Sequence, residues 1–160
     1  MRAIRIEKFG GPEVLQLVDI EKPIAAENEV LIRVVAAGIN YADTHQTEDS
    51  YLAPQQLPLI PGAEVVGFDS EGKRVVALVP GGGYAEFVAA PRSLTFEIPV
   101  DVSDGAALAT ILQGTTAWHI LHTCAHAQSG ETVVIHAAAG GVGSYAVQLA
   151  QRLGARVIAT

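Results

Sequence analysis

A chain of 160 residues, 49% apolar and 17% charged, has enough apolar mass for one sizeable core. Its formal charge of −7, with no basic run and no aromatic residues interleaved with basic ones, speaks against nucleic acid as a partner. The single cysteine, Cys124, excludes an internal disulfide and a cysteine-built zinc site, and is expected to be a buried thiol. The charged opening "MRAIRIEKFGGPEV" is no secretory signal, and no stretch approaches the ~18 uncharged apolar residues of a membrane span. A cytoplasmic protein with no membrane partner is therefore expected.

From Met1 to about Pro99, β-like runs alternate with turn signals. "RAIRIEKF" and "VLQLVDI" flank the turn "GGPE". "EVLIRVVAAGIN" is longer and rich in Val and Ile; "AEVVGFD", "KRVVALV" and "YAEFVAA" follow, separated by "SEG" and "PGGG". Short strands at near-regular spacing with Gly and Pro between them predict a compact β-barrel or sandwich. After Pro99 the texture turns to Ala and Leu. Ser103 or Asp104 suits the cap of a first helix, and Gly114 is expected to divide it from a second of about a dozen residues.

"TVVIHA" lacks polar alternation, as expected of a strand buried on both faces of a parallel sheet. In the next helix Val142, Val147, Ala150 and Leu153 form an apolar stripe, while Gln148, Gln151 and Arg152 point away. Gly154 ends that helix, and "ARVIAT" is the following strand.

Between strand and helix lies "AAGGVG", Ala138 to Gly143, a G-x-G-x-x-G loop with alanine at the first glycine. A dinucleotide's pyrophosphate needs close backbone approach, which Gly140 and Gly141 permit. Gly143 lets the helix pack tightly on the strand, and the helix start offers free N–H groups and a positive dipole end. The same loop would also serve as a tight strand–helix turn without a ligand.

The stretches "AAGINYADTHQTEDSYLAPQQLPLIPGAEVVG", "GKRVVALVPGGGYAEFVAAP", "LQGTTAWHILH" and "GETVVIHAAAGGVGSYAVQLAQRLGARVIAT" cover nearly all of the chain. In content and order they resemble the N-terminal half of a zinc-independent medium-chain dehydrogenase/reductase of the quinone oxidoreductase type. The resemblance implies a fold of α+β and α/β parts. A GroES-like β-barrel catalytic domain over 1–99 and bridging helices over 100–129 would lead into the first βαβ unit of a truncated Rossmann domain over 130–160.

It also implies hydride transfer from NADPH to a quinone or an α,β-unsaturated carbonyl. Zinc-dependent relatives carry a cysteine ligand where this chain has Asn40 and a histidine where it has Ala63, so no metal is expected. His122 and His126 have a spacing that metals use, but no ligand ladder accompanies them. By resemblance Asn40 and Asp43 floor the active site, Tyr51 lies on the loop over it, and Gln113 and Thr116 sit beside the nicotinamide. Ala138, Gly140, Gly141, Val142 and Gly143 would hold the pyrophosphate. Alternatives stay open for several of these residues. Asn40 and Asp43 also suit a helix cap, and Tyr51 could pack on Pro54. His45, where many relatives have tyrosine, could exchange protons near neutral pH or simply face solvent.

The acidic residue that holds the adenosine ribose, ~20 positions past the loop, would fall at or beyond Thr160. The chain is thus expected to be half of a longer reductase, a short relative completed by pairing, or a short relative working without redox chemistry as an isomerase, cyclase or binding module. An enoyl reductase of polyketide or fatty-acid type is the alternative enzyme. The strand edges of a lone βαβ unit predict a homo-oligomer.

Overall fold

The computed structural model describes all 160 residues. They form two compact units, Met1–Leu108 and Ala109–Thr160.

In the first unit, β1 (Arg2–Arg5) and β2 (Gln16–Asp19) pair antiparallel around a short 3-10 turn at Pro12–Val14. β3 (Glu29–Ala37) leads into the seven-residue α1 (Tyr41–Thr47). Then come β4 (Glu64–Phe68), β5 (Arg74–Leu78), β6 (Phe87–Pro91) and β7 (Thr95–Glu97). The last four strands join β3 in one antiparallel sheet of order β6-β3-β4-β5-β7. Its core is Ile32, Val65, Val75, Ala77, Val79, Val88 and Ala90. Single bridges from Ala3 to Ala85 and from Ile6 to Leu59 tie the β1–β2 ribbon to the loops of this sheet. Asp69 shapes the β4–β5 turn, its Oδ1 accepting from the N–H groups of Glu71 (2.9 Å) and Lys73 (2.8 Å).

Strand β7 has no counterpart in the sequence reading, because three residues are too few to display an alternation. At the end of this unit α2 (Asp104–Ala109) starts where expected. The Ser103 hydroxyl accepts from Ala106 N–H at 3.2 Å. Arg74 holds this helix start by donating to Asp104 Oδ1 at 2.8 Å and to the Val102 carbonyl.

The second unit departs from expectation at three points. Gly114 does not divide two helices. Its φ of −65° and ψ of −45° are helical, and the backbone stays helical from Thr110 to Cys124. The four-residue α3 (Thr115–Trp118) lies between two π-helical stretches, Thr110–Gly114 and His119–Cys124. Glycine is there for clearance: a Cβ would meet the Tyr145 ring at 3.3 Å. Cys124 is exposed rather than buried, on the last turn of this run.

The third departure concerns β8 (Thr132–Ile135), which pairs in parallel with β9 (Arg156–Ala159) across α4 (Gly141–Leu153). Val133, Ile135 and Val157 pack with Ala117, Leu121, Ala146 and Ala150 in the core of the unit. The opposite face is open, with Val134 51% and Ile158 40% exposed, so β8 is covered on one face only. Gly154 closes α4 in the left-handed conformation, φ 84°, as its position implied.

One-sided burial predicts an asymmetry that chemical denaturation can measure. Val134→Thr is expected to change stability by less than about 0.5 kcal/mol. Ile135→Thr, which puts a hydroxyl and a smaller side chain into the core, is expected to cost about 1–3 kcal/mol.

Candidate functional site

Two carboxyl groups lie inside the first unit. Glu64 opens β4 and is 1% exposed; Asp43, on α1, is 5% exposed. The chain makes room for the first at Gly38, where any Cβ would overlap the Glu64 carboxyl. The backbone N–H of Gly38 also donates to the Glu64 carbonyl at 3.1 Å. Asn40, the extended N-cap of α1, bridges the two acids. Its Nδ2 donates to Glu64 Oε1 at 3.0 Å, and its backbone N–H donates to Asp43 Oδ2 at 2.8 Å. The Asp43 N–H returns a bond to the Asn40 carbonyl at 3.0 Å, so the start of α1 is tied in both directions.

Tyr84 completes the cluster. Its hydroxyl donates to Asp43 Oδ2 at 2.6 Å, the short distance of a charge-assisted bond. The ring is seated by Gly62, whose φ of 98° suits glycine and whose Cβ would stand 2.6 Å from the Tyr84 ring. Asp43 Oδ1 and Glu64 Oε2 are buried without a protein partner. Burial raises the Glu64 pKa above its ordinary 4.5; the Asn40 amide opposes this and the Asp43 charge adds to it. Burial, then the bond to Asp43, pushes the Tyr84 phenol well up, so it stays a donor at physiological pH. A cleft of about 250 Å3 opens over Asn40, Asp43 and Tyr84, with Leu15, Ile39 and Pro61 among its apolar walls. Such a cleft suits a small apolar molecule with one polar end.

The glycine loop belongs to the second unit. Ala138 N–H donates to the Thr160 carbonyl at 3.1 Å, and His136 Nδ1 lies 2.8 Å from Thr160 Oγ1, so β9 fixes the end of β8. Gly140 is the N-cap of α4, and the first bond back to it comes from Ser144 N–H at 2.9 Å. The N–H groups of Gly141, Val142 and Gly143 therefore have no carbonyl one turn behind them. Near Gly140 a Cβ would meet only the Ala137 carbonyl, at 3.2 Å, whereas at Gly143 it would collide with the Ala137–Ala138 backbone. The loop thus has one glycine open to a ligand and one required for helix–strand contact. A cleft of about 440 Å3 adjoins it, bordered by Ile120, Val134, His136, Gly140 and Val142.

The predicted site residues are distributed unevenly. Asn40 and Asp43 come together: the bonds between them make the helix cap, and the Asn40 side chain also reaches Glu64. His45 is half-buried on α1, its Nδ1 2.8 Å from Ser50 Oγ and its ring edge-on to Tyr41. It is not part of the cleft lining. Tyr51 is 41% exposed in the loop before β4. Thr116 spends its hydroxyl on the Leu112 carbonyl at 2.7 Å. Ala138 and Val142 pack sideways on the core of their unit. Gln113 lies against Gly141. Tyr84 was not foreseen; the signal was a tyrosine directly behind three glycines in "GGGY".

Tyr84→Phe is expected to cost about 1–3 kcal/mol of stability, the worth of a hydrogen bond to a charged group, measured by urea denaturation. Glu64 provides a pH test. Its folded-state pKa lies above the unfolded value of 4.5, so its contribution is full below that pH and is lost as pH rises through the raised value. Glu64→Gln does not titrate. The stability of the parent relative to this variant should therefore fall as pH rises from 4.5 through the raised folded-state value. A flat difference would remove the assignment.

The alcohol dehydrogenase GroES-like domain family matches residues 26–100. The quinone oxidoreductase of Lama guanicoe is 39% identical over 174 residues, covering 100% of this chain and 52% of that protein. The structure of the quinone oxidoreductase of Thermus thermophilus, solved also as a complex with NADPH, is 43% identical. It superposes with a TM-score of 0.92 over 99% of this chain and 52% of that one. The CurK enoyl reductase is 29% identical, with a TM-score of 0.90 over 99% of this chain and 53% of its own. The chain spans about half the length of the curated relatives it matches. With the antiparallel sheet of the first unit, the glycine loop and these likenesses in agreement, the chain is similar over its whole length to the N-terminal half of the quinone oxidoreductases, which are medium-chain dehydrogenases/reductases.

Proposed function

We propose that the chain is the N-terminal part of an NADPH-dependent reductase of quinones and α,β-unsaturated carbonyls that works without zinc. The observation that carries this reading is the Asn40–Asp43–Glu64 cluster: an amide stands where zinc-dependent relatives have a thiolate, and it faces an apolar cleft. Ala63, in place of the histidine ligand, supports the same conclusion. The Thermus thermophilus relative's complex with NADPH supports that choice of cofactor.

NADPH, when bound, supplies the hydride. The protein's part is to bind, orient and exclude water. The loop N–H groups of Gly141, Val142 and Gly143 would receive the pyrophosphate, with Gly140 giving it backbone access and Ala138 shaping the entry. Gln113 and Thr116 belong to the same cofactor site in this reading. Asn40, held by Asp43, would present a fixed amide to the substrate's carbonyl end. Tyr51 and His45, which lie outside the cleft lining, would take part only by approaching the substrate from beside it. The open face at Val134 and Ile158 supports a homo-oligomer.

The likeness to the CurK enoyl reductase favours a second reading, reduction of an enoyl thioester. Titration of the 160-residue chain with NADPH, followed by cofactor fluorescence, tests whether this part carries cofactor binding; saturable binding supports both readings, and none at about millimolar cofactor removes a cofactor role for the chain by itself. NADPH oxidation with 1,4-benzoquinone against crotonyl thioester then separates them, with quinone expected to be the faster by about tenfold or more. Loss of turnover on adding a chelator would overturn the zinc-free mechanism. Sedimentation is expected to show a dimer or larger, and a well-folded monomer would remove the oligomer.

A further inference from the structure

We infer that Gln113 is a positioning residue for the glycine loop, and that Gly141 is a glycine in order to admit it. In the G-x-G-x-x-G pattern the fixed glycine positions fall on Ala138, Gly140 and Gly143; Gly141 occupies a position the pattern does not fix, although a glycine there also eases backbone approach to the pyrophosphate. Nor does the backbone ask for glycine. Gly141 is the first residue of the 13-residue α4 and has no left-handed φ, so alanine would be the better helix former there.

What an alanine Cβ would meet first is a side chain from another element, the far end of Gln113, which would have to swing aside. A Cβ on Gly141 would stand 2.5 Å from Gln113 Oε1, 2.6 Å from Cδ and 3.1 Å from Nε2. The carboxamide therefore lies directly on the start of α4, beside the N–H groups of Gly141, Val142 and Gly143.

Gln113 is delivered there by a distorted helix. It sits in the π-helical stretch Thr110–Gly114, a geometry that recurs at functional sites because the widened turn redirects side chains. The stretch is secured by two hydroxyls. Thr115 Oγ1 donates to the Ile111 carbonyl at 2.6 Å, and Thr116 Oγ1 donates to the Leu112 carbonyl at 2.7 Å. It is also docked on α4 at both flanks of Gln113. Thr110 Oγ1 lies 2.9 Å from Tyr145 OH, and Gly114 lets the Tyr145 ring approach closely. With its neighbours fixed on each side, Gln113 can leave the loop only by turning its own side chain.

Four proteins test this: the parent chain, Gly141→Ala, Gln113→Ala and the double variant. In the absence of cofactor, Gly141→Ala is expected to lower the thermal midpoint by about 3 °C or more, and in the Gln113→Ala background to leave it unchanged or raise it. A neutral or stabilising Gly141→Ala in the parent background overturns the inference, as does an equal loss in both backgrounds. This arm is independent of the proposed function.

A second arm rests on that function. Gln113→Glu keeps the shape of the side chain but sets a negative charge beside the pyrophosphate. With a midpoint close to that of the parent, it should weaken NADPH binding about tenfold, and more at low salt than at high salt. Parent-like NADPH binding by Gln113→Glu overturns the positioning role toward cofactor. A parent chain that fails to bind NADPH removes a cofactor role for this chain by itself, while the midpoint arm still decides the pairing of Gln113 with Gly141.

Discussion

The constraint on which the first unit depends is the cost of holding two acids out of water. Each buried carboxyl must find donors from the chain itself, because an unpaired charge in the interior costs several kcal/mol or shifts to its neutral form. No lysine or arginine is bonded to Asp43 or Glu64. The donors are one amide, one backbone N–H and one phenol. Much of the local architecture follows from supplying them. The β3–α1 junction has to bring Asn40 between the two acids, Gly38 has to be bare, and the Gly62 turn has to seat Tyr84.

This arrangement also gives the amide its rigidity. A surface asparagine has free rotamers to lose when it meets a ligand. Asn40 has already lost that freedom, because its backbone is held by Asp43 and its Nδ2 by Glu64. Preorganisation of this kind is what the zinc-free reading proposed above would rely on to hold a carbonyl oxygen in place. The partnerless oxygens of Asp43 and Glu64 are what remains of a donor supply that stops short of both acids.

What the sequence reveals, and what it hides, divides along range of interaction. The β-rich first part, the start of α2 at Ser103 and the glycine loop are written in local patterns, and each stands where those patterns place it. The cap at Asn40 and Asp43 is likewise local, three residues apart. Tyr84 lies 41 residues from Asp43 and Gly38 lies 26 from Glu64, so neither partnership leaves a periodic trace. Gly114 misleads for a related reason. Glycine ends helices when the need is a left-handed turn, but here the need is clearance for Tyr145, contributed by a distant stretch of chain. The expectation for "TVVIHA" failed through context as well: an unbroken apolar run reports a strand's capacity for burial, and the second unit covers one face of it. Cys124 follows the same logic, since the burial typical of a free thiol gives way to its place at the outer end of the helical run.

The π-distorted run places Trp118, the sole tryptophan, about half-exposed with the His122 ring 4.9 Å away. It therefore makes the protein optically lopsided. Indole emission comes entirely from Ala109–Thr160, and the unit that carries the paired acids has only tyrosine to emit. The two units can thus be followed at separate wavelengths in one sample, the first chiefly through tyrosine absorbance and the second through its single indole, without any label being attached.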